Sequence, residues 1–337
     1  MGQPTMDDVA SKAGVSRALV SLVMRDSPRV SATSRQKVLA AAQDLGYRPN
    51  LWARNLASGQ TQTVGVMLND LHNPFFTEMA EGAAAAANER DLQILINSGW
   101  QREAGELAAV EAFMNMRADG ILLAAAGLSN ELLEGFASQM PTVSVSTYFV
   151  SQYFDTVNNN EDHGGCLVVD HLVDLGHTRI GHIDGGAARS GPERRNGFIK
   201  AMVQRGLAPI VVEGAFNEQA GAAAAAQLME LHVPPTAIFA GNDLAAIGVL
   251  TKLQELGVSV PEDVSVVGYD DTILAGIGPI SLTTVHQPRR QLGRIAIDLL
   301  VERISGRREA RHEQLEPRLV MRSSTGRVPQ SKGAPQS

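Results

Sequence analysis

The hydrophobic positions near the start of the chain follow a helical spacing in two short segments. They lie in the stretch Asp7 to Met24, which reads DDVASKAGVSRALVSLVM. Thr5 and Asp8 have the spacing of a capping box at the start of a first helix, and Gly14 permits a sharp turn after it. The apolar face of this helix consists of Val9, Ala10 and Ala13. The pattern predicts two short helices joined by a tight turn.

The second helix, which Ser16 can cap, has two faces of different character. At about 3.6 residues per turn, one arc holds the core candidates Leu19, Val20, Val23 and Met24. The opposite arc spans roughly 140° and holds Arg17, Ala18, Ser21, Leu22 and Arg25. A helix-turn-helix presents such a mixed face to the major groove of DNA. Two amphipathic helices of an ordinary helical domain would show the same pattern.

Two more helices are predicted in the next forty residues or so. Ser31 can cap a third helix and Gly46 can end it. Its apolar positions are Val38, Leu39, Ala42 and Leu45. The segment RPNLWARNLASGQ then predicts a short helix from Leu51 to Ala57. A helix this short is unstable alone, so it must form on a partner or a ligand, unless the segment is an interdomain linker with nascent helicity.

From Thr63 onward, apolar runs rich in β-branched residues alternate with amphipathic helices. The predicted strands are TVGVML, QILIN, GILLA, TVSVS, RIGHI, AIFA, SVVGYD and RLVM. The predicted helices span 76–90, 104–116, 131–138, 164–175, 193–204, 218–231, 244–256 and 290–305. The segment LTTVHQ is predicted to be a crossover. Alternation of this kind is typical of parallel sheets covered by helices on both faces.

The expected fold class is therefore multidomain: a small all-α helix-turn-helix headpiece followed by a two-lobed α/β core with two parallel, Rossmann-like sheets. We expect a headpiece at 1–48, a hinge helix and linker at 49–62, the core at 63–327 and a disordered polar tail at 328–337. Within the core, the N-terminal lobe is expected at about 63–159 plus 289–316, and the C-terminal lobe at about 160–287 plus 317–327. A ligand cleft is expected between the lobes.

The distribution of charge supports this division. The whole chain carries a formal net charge of −7, which by itself argues against nucleic-acid binding. Residues 1–60, however, contain eight Lys or Arg and four Asp or Glu, a net charge of +4, which leaves −11 for the remainder. A basic head on an acidic body fits a DNA-binding module attached to a domain that does not bind DNA.

Other features restrict the class of protein. No apolar run reaches the roughly 18 residues that a membrane span needs, and the start of the chain lacks a secretory pattern. The single cysteine, Cys166, excludes an internal disulfide and argues against a metal site. We therefore expect a cytoplasmic protein with no membrane association, metal or cofactor.

The motifs of this chain resemble those of the LacI/GalR family of bacterial repressors. They are DVA-x-x-AGVS, Val30-Ser31, LGYRPN-x-x-AR-x-L, NPFF, DLGHTRIGHI, AGND, VSVVGYDD and LTTVHQP, and they run from about Thr5 to Arg327. The resemblance implies a DNA-binding headpiece, a hinge helix and an effector core shaped like a periplasmic sugar-binding protein. It also implies a homodimer that reads near-palindromic double-stranded operator DNA.

In the headpiece and hinge, the resemblance implies that Arg17 and Ala18 read bases and that Leu56 wedges into the minor groove. Packing of Leu56 on its dimer mate is the alternative. The full set of expected DNA-contacting residues is Thr5, Ser16, Arg17, Ala18, Ser21, Leu22, Ser31, Ser34, Tyr47, Asn50, Ala53 and Leu56. This chain departs from the family at Leu22, where arginine is usual and where leucine could touch a thymine methyl, and at Trp52.

In the core, the resemblance implies that Arg194 binds the effector and that Asp270 is its paired carboxylate. The expected effector-binding residues are Asn69, Phe75, Phe76, Ser146, Arg194, Phe216, Asn242, Asp270 and Gln287. Trp100 is a further stacking candidate, taken from its place on a loop after a strand. The alternatives are a ligand-free interlobe salt bridge for Arg194 and Asp270, and core packing for each aromatic ring. Asn160-Glu161 replaces the family's usual Asp-Asn pair.

We therefore expect a ligand-responsive, sequence-specific transcriptional regulator that represses genes of carbohydrate or polyol metabolism. The effector is expected to be a sugar, a polyol or a nucleoside, and the sequence leaves open whether it induces or corepresses. A solute-binding protein that serves a transporter is the second hypothesis. An enzyme is the third, although the chain has no nucleophile elbow, P-loop or dinucleotide fingerprint. Because no apolar heptad tail follows the core, we expect a dimer and not a tetramer.

Overall fold

The computed structural model describes residues 4–24, 26–47 and 61–329. The chain divides into two compact units, Met1–Thr61 and Gln62–Ser337. The predicted hinge helix with Asn50, Ala53 and Leu56 lies outside the described residues. So do Arg25, Trp52 and all but the first two residues of the predicted tail.

The first unit contains the three predicted headpiece helices, α1 (Met6–Ala13), α2 (Arg17–Met24) and α3 (Ala32–Leu45). The predicted capping box forms, since Thr5 and Asp8 bond reciprocally at the start of α1. Gly14 ends α1 at a φ of 66°, a left-handed conformation that favours glycine. The helices bury a common core of Val9, Ala10, Val20, Val23, Val38, Ala41 and Ala42.

One core position of α3 was predicted wrongly. Leu39 is 49% exposed, and Ala41 is buried instead. Val38, Ala41, Ala42 and the half-buried Leu45 follow the spacing of one helix face, whereas Leu39 lies about 100° away from Val38. The prediction counted Leu39 among the apolar positions with helical spacing, but the phase of the buried face selects Ala41.

Within the described part of the second unit, the strands form two six-stranded sheets. The first sheet has the order β11-β5-β4-β3-β1-β2, and its strands are parallel. Its strands are β1 (Thr63–Leu68), β2 (Gln93–Ser98), β3 (Gly120–Ala124), β4 (Thr142–Val145), β5 (Asp155–Asn159) and β11 (His312–Leu315).

The second sheet has the order β12-β10-β9-β8-β6-β7 and is parallel except for β12, which runs antiparallel to β10. Its strands are β6 (Ile180–Ile183), β7 (Ile210–Val212), β8 (Ala237–Ala240), β9 (Ser265–Asp270), β10 (Thr283–His286) and β12 (Arg318–Val320). We call the lobe built on the first sheet the N-lobe and the lobe built on the second sheet the C-lobe.

Helices connect the strands of both lobes. They are α4 (Pro74–Asn88), α5 (Glu103–Asn115), α6 (Asn130–Ala137), α7 (Glu161–Asp174), α8 (Gly191–Gln204), α9 (Glu218–Met229), α10 (Asp243–Glu255) and α11 (Arg289–Ile304). A 3₁₀ turn spans Ile273–Gly276. The expected fold class of helical headpiece and two-lobed α/β core is confirmed. No helix in residues 4–24, 26–47 or 61–329 is long and apolar enough to cross a membrane.

The interpretation of LTTVHQ as a crossover was wrong. Thr283–His286 is strand β10, and it pairs with β9 on one side and β12 on the other. Its residues up to Val285 are fully buried, as expected for a central strand. The chain instead leaves the C-lobe after β10, at the Pro288 that precedes α11.

The chain passes between the two sheets three times within the described residues: after β5, after β10 and between β11 and β12. The two lobes are thus joined by three connections.

Helix α11 follows a C-lobe strand, β10, but packs in the N-lobe, against α4. One glycine in each helix allows the backbones of α4 and α11 to come into contact. A Cβ atom at Gly82 would lie 2.0 Å from the carbonyl oxygen of Arg290, and one at Gly293 would lie 2.0 Å from that of Met79.

Candidate functional site

A cavity of about 370 Å³ opens between the two lobes. It lies at the carboxyl ends of the parallel strands, where ligands of such folds bind. Asn69 follows β1, Ser146 follows β4 and Asp270 ends β9. The structure brings eight of the nine predicted effector-binding residues to this cavity: Asn69, Phe75, Phe76, Ser146, Arg194, Phe216, Asp270 and Gln287.

The backbone around the cavity adopts unusual conformations. Ala125, Ser146 and Asp270 line it with φ values of 52°, 56° and 112°, in the region that favours glycine. Such conformations persist only where the surrounding structure imposes them, and they are concentrated at functional sites. The cavity wall is therefore held in a defined shape by the strand ends.

Aromatic rings form part of the wall in both lobes. Phe75 and Phe76 begin α4, where Asn73 caps the helix by accepting from the Phe75 N–H at 2.9 Å. Their rings meet edge to face with centroids 5.1 Å apart. Both side chains are buried in the N-lobe core and also line the cavity. The two alternatives, core packing and a place in the cavity wall, therefore both apply to them.

Phe216 supplies the aromatic ring of the C-lobe. Its ring lies against two glycines. A Cβ atom at Gly185 would lie 2.3 Å from Phe216 Cζ, and one at Gly241 would lie 2.9 Å from Phe216 Cε1. The absence of side chains at both positions leaves the space that the ring occupies.

Arg194 lines the cavity, but its carboxylate partner is Glu161 and not the expected Asp270. Arg194 Nε lies 2.9 Å from Glu161 Oε2, and Nη2 lies 3.1 Å from Oε1. Its Nη1 donates to the Gly241 carbonyl. The guanidinium carbon also lies 3.7 Å from the centroid of the Tyr269 ring. Arg194 is therefore a buried guanidinium whose charge is already neutralised by the protein.

Asp270 has a different set of partners. Its Oδ1 accepts from Gln287 Nε2 at 2.6 Å, and its backbone carbonyl accepts from Arg289. Burial raises the pKa of the Asp270 carboxyl above its usual range, although Arg194 and Arg289 oppose this shift. Asp270 and Gln287 thus present one continuous hydrogen-bonded edge to the cavity.

Two predicted candidates do not line the cavity. Asn242 caps α10, since its Oδ1 accepts from the Ala245 N–H at 2.8 Å, and its Nδ2 reaches the Phe216 carbonyl at 3.4 Å. Asn242 therefore contacts the backbone of Phe216, which lines the cavity. Trp100 is 51% exposed and lies next to His72, with ring centroids 6.1 Å apart.

The sequence interpretation missed several polar residues that line the cavity. They are Asp70, Asn73, Gln101, Glu103, Glu106, Arg189 and Ser190. Glu106 carried a signal, because it lies in phase with the buried residues Ala109, Val110 and Phe113 of α5. A charged residue on the core-facing side of a helix indicates a functional or paired position.

Some of the buried polar atoms that lack a hydrogen-bond partner belong to residues of this cavity. Within the described residues, Asn69 Oδ1, Glu106 Oε2 and Arg189 Nε are buried without a hydrogen-bond partner, and all three residues line the cavity. Buried polar atoms without partners are costly and require an explanation such as a ligand. Among the described residues, no group of His, Cys, Asp and Glu is arranged to hold a metal ion.

The headpiece carries its predicted contact residues at the surface of the first unit. Ser16, Arg17, Ala18 and Ser31 are exposed, and Leu22 is 37% exposed, while Val20 and Val23 of the same helix are buried. Ser21, Ser34 and Tyr47 are half-buried. The Thr5 hydroxyl takes part in the cap of α1. Helix α2 thus exposes the face that its angular pattern predicts.

Two family descriptions match the chain. Residues 5–50 match the bacterial regulatory proteins of the lacI family. Residues 169–325 match the periplasmic binding protein-like domain.

Relatives match nearly the whole length. The HTH-type transcriptional repressor PurR of Photobacterium profundum is 35% identical over 332 residues, which cover 95% of this chain and 98% of that protein. PurR of Vibrio vulnificus is 33% identical over 335 residues, covering 96% and 99%.

Solved structures also match nearly the whole length of the chain. The lac repressor dimer bound to operator and the anti-inducer ONPF matches with a TM-score of 0.86 at 28% identity, covering 96% of this chain and 100% of that chain. The complex of the transcriptional regulator CelR with cellobiose matches with a TM-score of 0.73 at 30% identity, covering 95% and 99%.

These matches decide between the hypotheses drawn from the sequence. The relatives are transcriptional repressors, which excludes the transporter-associated and enzymatic alternatives. The resemblance inferred from the motifs is confirmed. The chain belongs to the LacI family of bacterial regulatory proteins and is a ligand-responsive, DNA-binding transcriptional repressor.

Proposed function

We propose that the interlobe cavity binds a neutral, polyhydroxylated effector of the sugar class, and that binding changes the affinity of the repressor for operator DNA. One observation carries this proposal: aromatic rings and buried, unpartnered hydrogen-bonding atoms line the same cavity. Sugar hydroxyls both donate and accept hydrogen bonds, and the apolar face of a sugar ring packs on an aromatic ring.

The charge of the cavity favours a neutral ligand over an anionic one. The lining residues include the carboxylates of Asp70, Glu103, Glu106 and Asp270, against the guanidiniums of Arg189 and Arg194. Glu161 neutralises Arg194. A phosphorylated or carboxylated effector would therefore meet the carboxylates of Asp70 and Glu103 at close range, while Glu106 and Asp270, whose pKa values burial raises, add less negative charge.

The relatives support two effector classes. Cellobiose is bound in the CelR structure, and ribose is bound in the structure of a LacI family regulator from Enterococcus faecium, which is 27% identical over 79% of this chain. The PurR repressors support a second candidate, a purine base or nucleoside. A planar purine would stack on Phe216 and offer a lactam edge to the polar atoms.

The effector class can be tested by calorimetry and thermal shift on the full chain. The probes are cellobiose, ribose, ribose 5-phosphate, guanine and guanosine. We expect saturable binding of a free sugar and none of ribose 5-phosphate. Binding of guanine without binding of either sugar would replace the sugar with the purine candidate. Binding of ribose 5-phosphate alone would contradict both.

On the DNA side, we propose a homodimer in which two headpieces (1–48) read near-palindromic operator DNA through Arg17, Ala18, Ser21 and Leu22. The exposed face of α2 supports this assignment. Ser16, Ser31, Ser34, Tyr47 and Asn50 contact phosphates. The hinge (49–62) inserts Leu56 into the minor groove, and the core (63–327) controls the pairing of the two hinges.

The reading face is tested by Arg17→Ala with Lys37→Ala as a control of equal charge change on an exposed position of α3. Arg17→Ala should weaken specific binding by about 1–3 kcal/mol and relax one base position in each half-site. Lys37→Ala should weaken binding to all sequences alike. Equal sequence preference in Arg17→Ala and the parent would refute the assignment.

The bound probe sugar should change operator affinity in either variant background, and no change would contradict a ligand-responsive role for this cavity.

A further inference from the structure

We propose that Glu106 of the N-lobe and Arg189 of the C-lobe form a clamp that recognises one donor–acceptor edge of the effector and draws the lobes together on it. This inference rests on the proposed function, because it assigns part of the recognition to residues of the same cavity. The matching chemical group is a vicinal pair of hydroxyls, which can accept from a guanidinium N–H and donate to a carboxylate oxygen.

Glu106 is held in place for such a role. It lies in the first turn of α5, is 1% exposed and lines the cavity. Its stem occupies the space left by a glycine, since a Cβ atom at Gly99 would lie 2.1 Å from Glu106 Cγ. Its Oε2 has no hydrogen-bond partner among the described residues. Glu106 therefore presents a fixed hydrogen-bonding atom that the protein leaves unused.

The environment of Glu106 favours a ligand that donates to it. Burial raises the pKa of the Glu106 carboxyl, while the backbone N–H groups of Gly127 and Leu128 and the charge of Arg189 oppose the shift. The net shift is upward, so these groups only partly offset the cost of burying the charged carboxylate, whose oxygens accept hydrogen bonds. A ligand hydroxyl that donates to Oε2 adds to the same stabilisation.

Arg189 approaches the cavity from the opposite lobe. It lies between β6 and α8, and its Nη2 donates to the Leu128 carbonyl at 3.0 Å and to Asn130 Oδ1 at 3.1 Å. Both acceptors belong to the N-lobe, so one edge of this guanidinium already bridges the cleft. Its Nε is buried and unpartnered within the described chain. Burial lowers the pKa of Arg189, and the charge of Glu106 opposes this shift.

The two unused atoms are complementary and come from different lobes. A ligand held by Glu106 Oε2 and Arg189 Nε must touch both lobes, so its full hydrogen bonding is available only while the lobes stay together. The ligand then binds one arrangement of the lobes more tightly than the other, and such a difference in affinity is what a ligand needs to shift a conformational equilibrium. Arg194 differs, because its carboxylate partner Glu161 begins α7 of the same lobe.

The clamp is tested on the full chain with whichever of cellobiose and ribose binds the parent. The variants are Glu106→Gln, Arg189→Lys and the double substitution. Glu111→Gln, on the exposed side of the same helix, and Arg205→Lys, on the surface of the C-lobe just after α8, are the matched controls. We expect each single clamp variant to lose roughly tenfold to 100-fold in affinity by calorimetry. The double variant should lose less than the product of the two, because the residues act on one ligand edge.

A readout of lobe position separates recognition from general structural damage. Small-angle scattering should show a ligand-dependent compaction in the parent and in both controls, reduced in the clamp variants at saturating sugar. Unchanged affinity in both single variants, with normal binding by the parent, would overturn the clamp and leave the proposed function intact. Absence of sugar binding by the parent would instead overturn the sugar assignment, and the clamp with it.

Discussion

Arg194 and Glu161 form a buried two-point ion pair, with Nε 2.9 Å from Oε2 and Nη2 3.1 Å from Oε1. Glu161 also accepts a hydrogen bond at 2.9 Å from the hydroxyl of Tyr148, which follows β4 in the N-lobe. The carboxylate therefore joins the cavity arginine of one lobe to a loop of the other.

Glu161→Ala should lower the free energy of unfolding by about 3–5 kcal/mol, because it leaves the buried Arg194 guanidinium unpaired. Urea denaturation monitored by circular dichroism measures this change. Glu161→Gln keeps one acceptor oxygen for the guanidinium and fills the same space, so it should cost less than Glu161→Ala. Glu111→Ala, on an exposed position, should stay within about 0.5 kcal/mol of the parent. A loss below about 1 kcal/mol in Glu161→Ala would show that another group neutralises Arg194.

Gly185→Ala should displace the Phe216 ring, since the added Cβ would lie 2.3 Å from its Cζ. Overpacking of this kind costs about 1–3 kcal/mol, and sugar affinity should fall because the ring leaves its place in the wall. Gly135→Ala is the control, because a Cβ there meets nothing within 4 Å. As a mid-helix replacement it should stabilise the protein by about 0.5–1 kcal/mol. Calorimetric sugar titrations and thermal denaturation of both variants provide the measurements, and unchanged affinity in Gly185→Ala would count against a ligand role for Phe216.

Asn242 separates a capping role from a ligand role. Asn242→Ser keeps a side-chain oxygen that can accept from the Ala245 N–H and adds no buried charge, so stability should be largely retained. Asn242→Ala removes the cap and should cost about 1 kcal/mol of stability. Loss of sugar affinity in Asn242→Ser at unchanged stability would indicate that the amide contributes to the site beyond the cap, either by direct contact with the effector or through its contact with the Phe216 carbonyl.

Lowering the pH should destabilise α1, because protonation of the Asp8 carboxylate weakens the cap of this helix. The backbone N–H and then the hydroxyl of Thr5 bond to its carboxylate and lower its pKa below the usual 3.8. A carboxyl with a lowered pKa in the folded state contributes stability above its unfolded pKa, and this contribution is lost as pH falls through the lowered value. The protection of the amides of residues 5–13 against hydrogen exchange, relative to the intrinsic rate at each pH, should therefore fall below pH 3.8 in the parent. Asp8→Ala should lack this step, whereas Asp7→Ala, which leaves the cap intact, should retain it.

The sequence predicts those features that depend on local periodicity. Buried strands such as Gly120–Ala124 are short apolar runs, and helix starts such as Thr5 and Ser31 carry capping residues, so both are visible without tertiary contacts. Strands β5 and β11 escaped prediction because DTVNN and HEQL are polar. They become strands through pairing with neighbours that are distant in sequence.

The cavity was predicted where motifs end strands, as at Asn69, Ser146 and Asp270. The electrostatics of the cavity were not predicted, because they depend on which charged groups the fold brings into contact. The partner of Arg194 is 33 residues away in sequence, and Glu106 and Arg189 come from different lobes. A chain pattern can indicate that a buried charge needs a partner, but only the fold selects the partner.

The late position of β11 and β12 in the chain has a consequence for synthesis on the ribosome. Until residues 312–320 emerge, β5 and β10 are additional unpaired edge strands of the two sheets, and both can pair with other nascent chains. Helix α11, which covers the N-lobe core, also arrives after the whole C-lobe except β12 has been made. Neither lobe can reach its final form as an independent early unit, so premature termination near the C-terminus would yield a chain prone to aggregation and not a shortened repressor.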